Sequence, residues 1–244
     1  MVTSSETSGS GTTWERYRLE GLLGRGAGGS VHRALDLWTG ERVAVKRYRS
    51  GVSASAAHEA SLLSEIRFPG VVRLKDCTTD VGGSFLAVFE YLRGEDLRSA
   101  AEGRSVVDVA PLFADVLRAL AFVHRRGIVH RDLKPENVIV SDRDGVARAT
   151  VIDFGLASDR RDPAASVGGT LAYLAPEVLE GGAPDARSDL YGLGILLYEV
   201  LSGRRPSAGL SGVDVVRLHT TRDLRRAPAV ARNHPAGRPA GVRT

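Results

Sequence analysis

Disulfides, a membrane span and a structural zinc site are all missing from this sequence. Of its 244 residues one is cysteine, Cys77, so no intrachain disulfide can form, and no CxxC pair or Cys/His cluster is present to hold zinc. Such scarcity points to a reducing, cytoplasmic setting. No apolar run reaches the roughly 18 to 20 residues that a membrane helix needs. The first thirteen residues are rich in Ser, Thr and Gly instead of carrying the charged head and apolar stretch of an export signal. No membrane segment is therefore expected. Lysine is rare as well: only Lys46, Lys75 and Lys134 stand among the 33 basic residues, and the other 30 are arginine. Aromatics make up 6%, and no basic stretch is interleaved with them for base stacking. A net charge of +4 without that pattern gives no reason to expect a nucleic-acid partner.

What remains, 43% hydrophobic and 25% charged, suits one soluble globular domain or a small two-lobed one. Residues 1–13 read as a flexible tail, since little in them could anchor a core. From Tyr17 to Tyr48 the pattern is strand-like: a run ending at Leu23, then Val31 to Leu37, a Thr39-Gly40 turn, and Arg42 to Tyr48. Ser53 to Ile66 has helical spacing, with Leu62, Leu63 and Ile66 on one face, and strands are expected at Val71 to Cys77 and Phe85 to Tyr91. After Gly94 the period becomes helical. Val109, Leu112, Phe113, Val116, Leu117, Leu120 and Val123 predict a long helix that stops before Gly127, and Ser188 to Leu201 predicts another. Two short apolar pieces, Val138 to Val140 and Thr150 to Ile152, are joined by Ser141 to Gly145, read as a hairpin turn because the remaining oxygen ligands of a calcium loop are missing. Val213 to His219 predicts a short helix, and residues 222–244 form an Arg/Ala/Pro-rich tail. The expected division is 14–93 for a small sheet with one helix and 94–221 for a mostly helical lobe.

Gly24-Arg25-Gly26-Ala27-Gly28-Gly29-Ser30-Val31 holds the GxGxxG spacing, which alone is a weak signal in a chain with 28 glycines. A dinucleotide fingerprint would open a helix. Here a second strand pattern follows at once, so the glycines belong to a hairpin whose backbone can close over phosphates. Fifteen residues beyond Val31 stands Lys46, in Val43-Ala44-Val45-Lys46. Then come His130-Arg131-Asp132-Leu133-Lys134-Pro135-Glu136-Asn137, Asp153-Phe154-Gly155 and Ala175-Pro176-Glu177, in that order.

These signatures resemble the eukaryotic-like serine/threonine protein kinases of bacterial type, and the resemblance covers Tyr17 to Pro206. It implies an α+β, two-lobed protein-kinase-like fold with a small antiparallel-sheet lobe plus one helix, a mostly helical second lobe, and ATP in the cleft between them. It further implies transfer of the ATP γ-phosphate to Ser/Thr hydroxyls of protein substrates, including a second copy in autophosphorylation. Asp153 and Asn137 would hold Mg²⁺, Asp132 would accept or steer the hydroxyl proton, and Lys134 would neutralise the γ-phosphate. Lys46 would meet the α and β phosphates with Glu59 as its carboxylate partner, since Glu59 stands ten residues before Pro69. Gly24, Gly26 and Gly29 would cover the phosphates. For adenine the resemblance implies a roof of Val31 and Ala44, a floor of Ile139, and backbone pairing along Glu90-Tyr91-Leu92, with Asp96 at the ribose. His130 is expected to be a core residue. Arg131 would pair a phosphate on the activation segment, where Ser166 is the expected phosphosite and Thr170 bridges to the catalytic Asp and Lys. Asp189 would anchor the catalytic loop, and Arg238 would pair Glu177. Only 38 residues follow Pro206. That shortness keeps open a second reading, an ATP-binding scaffold or a truncated kinase that folds poorly because a buried Glu177 lacks its partner.

Overall fold

The computed structural model describes residues 13–14, 16–26, 28–49, 53–155, 157–159 and 168–221. Ser166, Arg238 and the expected tail at 222–244 lie outside them. The chain divides into two compact units, one drawn from residues up to Arg67 and from Val72–Leu92, the other from Phe68–Val71 and from Arg93 onward.

In the first unit the strands are β1 (Thr13–Trp14), β2 (Tyr17–Gly26), β3 (Gly29–Asp36), β4 (Arg42–Tyr48), β5 (Leu74–Thr79) and β6 (Phe85–Glu90), with helix α1 (Ser53–Ser64) between β4 and β5. They form one antiparallel sheet in the order β1-β2-β3-β4-β6-β5. Thr13, placed in the tail by its composition, instead pairs with Arg18. The period of two sorts side chains between faces. Tyr17, Ala34, Val43, Val45, Leu86 and Val88 turn to one side and are buried together, each large apolar side chain among them worth about 1.5–3 kcal/mol of burial. Val31, Ala44 and Lys46 turn to the other.

The strand expected from Val71 begins only at Leu74. Gly70, with φ of 92°, turns the chain away after Phe68 and Pro69, its carbonyl accepts from the Val151 amide at 2.8 Å, and Val71 bridges to Val151. Residues 68–71 are thereby built into the second unit.

That unit contains β7 (Gly94–Asp96), α2 (Leu97–Ala101), α3 (Val106–His124), β8 (Ile128–Val129), β9 (Val138–Arg143), β10 (Val146–Val151), β11 (Ser158–Asp159), α4 (Pro176–Leu179), α5 (Ala186–Ser202) and α6 (Gly212–Thr220). Helix boundaries follow their caps. Ser105 and Asp108 form a capping box for α3, Asp185 and Ser188 another for α5, and Gly203 at φ 74° ends α5 in the left-handed conformation that costs glycine least. The expected turn Ser141–Gly145 is shorter than its composition suggested. β9 continues through Arg143, and only Asp144 (φ 56°) and Gly145 (φ 79°) turn, the Asp-Gly pair that a two-residue hairpin with positive φ at both positions selects. Among the described residues no helix is long and apolar enough to cross a membrane.

Candidate active site

The segment between β8 and β9 is irregular and buried, so its polar groups need partners inside the protein. Asp189, 3% exposed in the first turn of α5, supplies them. Its Oδ2 accepts from the His130 amide at 2.8 Å and lies 2.7 Å from His124 Nε2, while Oδ1 accepts from the Arg131 amide at 2.8 Å. These bonds stabilise Arg131 at φ 71°, a costly conformation for a non-glycine residue. Gly169 must pass close by: a Cβ there would lie 2.7 Å from the Arg131 carbonyl oxygen. His130, fully buried, is a structural residue as expected, its ring edge-on to Phe154 at 4.7 Å and its Nε2 3.1 Å from the Ile152 carbonyl.

Held in this way, the loop presents Asp132 to four side-chain and backbone donors. Thr170 bonds Oδ1 through its amide at 2.9 Å and its hydroxyl at 2.8 Å. Lys134 Nζ reaches Oδ2 at 2.5 Å and Thr170 Oγ1 at 3.4 Å. Asn137, in the short 3₁₀ turn Pro135–Asn137, donates its amide to the Asp132 carbonyl at 2.8 Å and to Oδ2 at 3.1 Å. With its Nδ2 so used and its backbone carbonyl accepting from the Ile152 amide at 2.9 Å, Asn137 offers its side-chain carbonyl oxygen as a hard oxygen ligand. Asp153 takes φ 59° and receives the Gly155 amide on Oδ1 at 3.4 Å. Asp132, Lys134, Asn137 and Thr170 are thus one cluster.

In the first unit Lys46 Nζ donates to Glu59 Oε2 at 2.8 Å, and Glu59 is 1% exposed. Tyr48 on the same strand face donates its hydroxyl to the same oxygen, a partner the sequence pattern did not reveal. Gly24, Gly26 and Gly29 lie in the β2–β3 hairpin, where Gly26 pairs with Gly29 and Gly24 with Val31. Only Gly29 is sterically obligatory: a Cβ there would stand 2.0 Å from the Arg47 carbonyl oxygen, whereas Gly24 and Gly26 face open space. Val31 and Ala44 are half-buried. The Glu90 carboxylate accepts from the Arg73 amide at 3.0 Å, and Leu92 is half-buried.

Ile139, also half-buried, pairs with Asp96 between β9 and β7. The Asp96 carboxylate caps α2, accepting from the Arg98 amide at 2.9 Å and from Ser99 at 3.1 and 2.9 Å. Glu177 corrects an expectation. It is exposed and accepts from the Ser188 hydroxyl at 2.6 Å, so it does not carry the cost of a buried unpaired carboxylate. A network missed entirely centres on buried Glu199, which receives Arg98 at 2.5 Å and the Tyr173 hydroxyl at 2.5 Å. Burial and that carboxylate push the Tyr173 pKa well above its ordinary value. The signal was available: a carboxylate inside the apolar run Leu196 to Leu201.

A family model described as the protein kinase domain matches residues 17–235. The chain is 36% identical to the probable serine/threonine-protein kinase PknB of Bifidobacterium longum, covering 91% of this chain and 34% of that protein. It is 36% identical to the serine/threonine-protein kinase PkaA of Streptomyces coelicolor, over 88% of this chain and 44% of that one. With the serine/threonine-protein kinase PknB of Mycobacterium tuberculosis the identity is 37%, over 86% and 36%. The chain therefore spans less than half the length of these relatives.

Proposed function

The chain belongs to the protein kinase domain family, and from that membership we propose that it transfers the γ-phosphoryl group of ATP to Ser or Thr hydroxyls of protein substrates. The observation that carries the reading is the Asp132 carboxylate with Lys134, Asn137 and Thr170 gathered on it. Phosphoryl transfer asks little covalent chemistry of a protein and a great deal of positioning and charge compensation. Asp132 Oδ2 accepts the proton of the attacking hydroxyl, and the bonds from Thr170 and Asn137 fix the direction in which it does so. Lys134 supplies positive charge where the γ-phosphoryl group passes. Lys46, oriented by Glu59, holds phosphate oxygens as a compact ammonium.

Mg²⁺ suits the oxygen donors here, the Asn137 side-chain carbonyl and the Asp153 carboxylate. When bound it supplies charge neutralisation on the phosphate oxygens. Val31, Ala44 and Ile139 serve the adenine, with the backbone of Glu90 to Leu92 pairing its edge and Asp96 near the ribose. Arg131 receives a phosphate on the activation segment, and a second copy of the chain is among the acceptors.

Incubation with γ-labelled ATP and Mg²⁺ tests the proposal, with Asp132→Asn alongside. Label on Ser or Thr of an acceptor protein with the wild-type chain alone is the expected result. A folded chain that binds ATP yet transfers nothing would overturn it in favour of a scaffold.

A further inference from the structure

The first unit contains a cluster that the transfer chemistry leaves unused. Arg25 of β2, Ser30 of β3 and Arg47 of β4 stand directly opposite one another in the antiparallel register, and residues so paired share a sheet face. Ser30 is thus flanked by an arginine on each neighbouring strand. His32, two residues along β3, shares that face, and its Nε2 lies 3.0 Å from Ser30 Oγ. Val31, Ala44 and Lys46 occupy the opposite face, so the row is distinct from the Lys46–Glu59 pair. Ser30 and His32 are half-buried, and Arg25 and Arg47 are exposed.

Arg47 is fixed in place by Asp80, 2.6 Å from its Nε, and by Ser84, 3.0 Å from one amino group. Burial, Arg25 and Arg47 together lower the His32 pKa, which keeps the ring neutral and able to accept from the hydroxyl.

We propose that Ser30 is a phosphorylation site whose phosphate is held by Arg25 and Arg47. The kinase reading enters only as the source of the phosphoryl group. In the step, Ser30 Oγ bonds to the γ-phosphorus of ATP carried by another copy of the chain. The bond from that phosphorus to the β,γ-bridging oxygen breaks, ADP leaves with the electron pair, and the hydroxyl proton passes to the catalytic carboxylate of the copy holding ATP. Before transfer His32 orients the hydroxyl. Afterwards the phosphate ties β2 and β4 to β3 through charge-assisted hydrogen bonds and stiffens the glycine hairpin.

Two measurements decide the matter. The chain is incubated with γ-labelled ATP, Mg²⁺ and a general acceptor protein, then digested and mapped. Label on Ser30 within the peptide Gly26–Arg33, absent in Ser30→Ala, is expected, and transfer to the acceptor with Ser30 unlabelled overturns the proposal. Absence of any transfer would count against the kinase reading, and the second measurement then decides alone. The chain carrying phosphoserine at position 30 is titrated by phosphorus NMR. The second phosphate pKa should fall about one unit below its usual value near 6 and recover in Arg25→Ala/Arg47→Ala. An ordinary value in the chain with both arginines overturns the cradle.

Discussion

Thr170 closes on Asp132 through two bonds to one carboxylate oxygen, the amide at 2.9 Å and the hydroxyl at 2.8 Å from Oδ1. The other oxygen is left to Lys134 and Asn137. One segment therefore orients the carboxylate while the other compensates its charge.

Asp132→Asn keeps the shape of this cluster and removes its basicity. Transfer should fall roughly 10³-fold, within the span usual for a lost general base, while ATP binding persists. Thr170→Val keeps the amide bond and should cost about tenfold, the worth of one hydrogen bond to a charged group. Turnover rates with equilibrium nucleotide binding check both.

Lys46→Met should do more than stop transfer. It strands Glu59, 1% exposed, with the Tyr48 hydroxyl still donating to its Oε2, and breaking a buried pair from one side costs about 3–5 kcal/mol. Lys46→Met/Glu59→Gln should recover much of that stability and none of the activity. Denaturant midpoints beside transfer rates separate the two effects.

Asp189→Ala removes the acceptor for the buried His130 amide and the half-buried Arg131 amide, and the neighbour of His124. A loss of roughly 3 kcal/mol is expected from the orphaned donors, with faster hydrogen exchange at the His130 and Arg131 amides. Unchanged protection there would refute the anchoring role.

Gly29→Ala drives a Cβ to 2.0 Å from the Arg47 carbonyl oxygen, whereas Gly24→Ala meets open space. The first should destabilise the unit by about 1–3 kcal/mol through backbone strain and weaken nucleotide binding. The second should leave stability within about 1 kcal/mol of wild type.

Acid stability should report Asp36. The Arg16 guanidinium beside it, at 2.7 Å, holds its carboxyl well below the usual carboxylate range. A carboxyl with a depressed folded-state pKa contributes stability that is fully present above its unfolded pKa of about 3.9 and is lost as pH falls toward the folded value. Urea midpoints should therefore drop below about pH 4 in the wild type, and Asp36→Asn should flatten that limb.

Parts of the fold and site were legible because their causes are local. The helices α3 and α5 follow from apolar spacing and from caps a few residues away, and the hairpin of Gly24 to Val31 from strand patterns on both sides. Contiguous motifs fixed which residue types could do chemistry. The start of β5 was misread because Gly70 turns the chain and its carbonyl binds the Val151 amide, far along the sequence.

By itself the amino-acid sequence determined the element types, the family and the chemical repertoire: a carboxylate at 132, an ammonium at 46 and 134, oxygen donors at 137 and 153. The tertiary structure decided which groups meet. Asp189 and the His130 amide are 59 residues apart, Arg98 and Glu199 101 apart. Hydrogen bonds act over about 3 Å and in narrow directions, so such partnerships exist only once packing has brought the backbones to their final places.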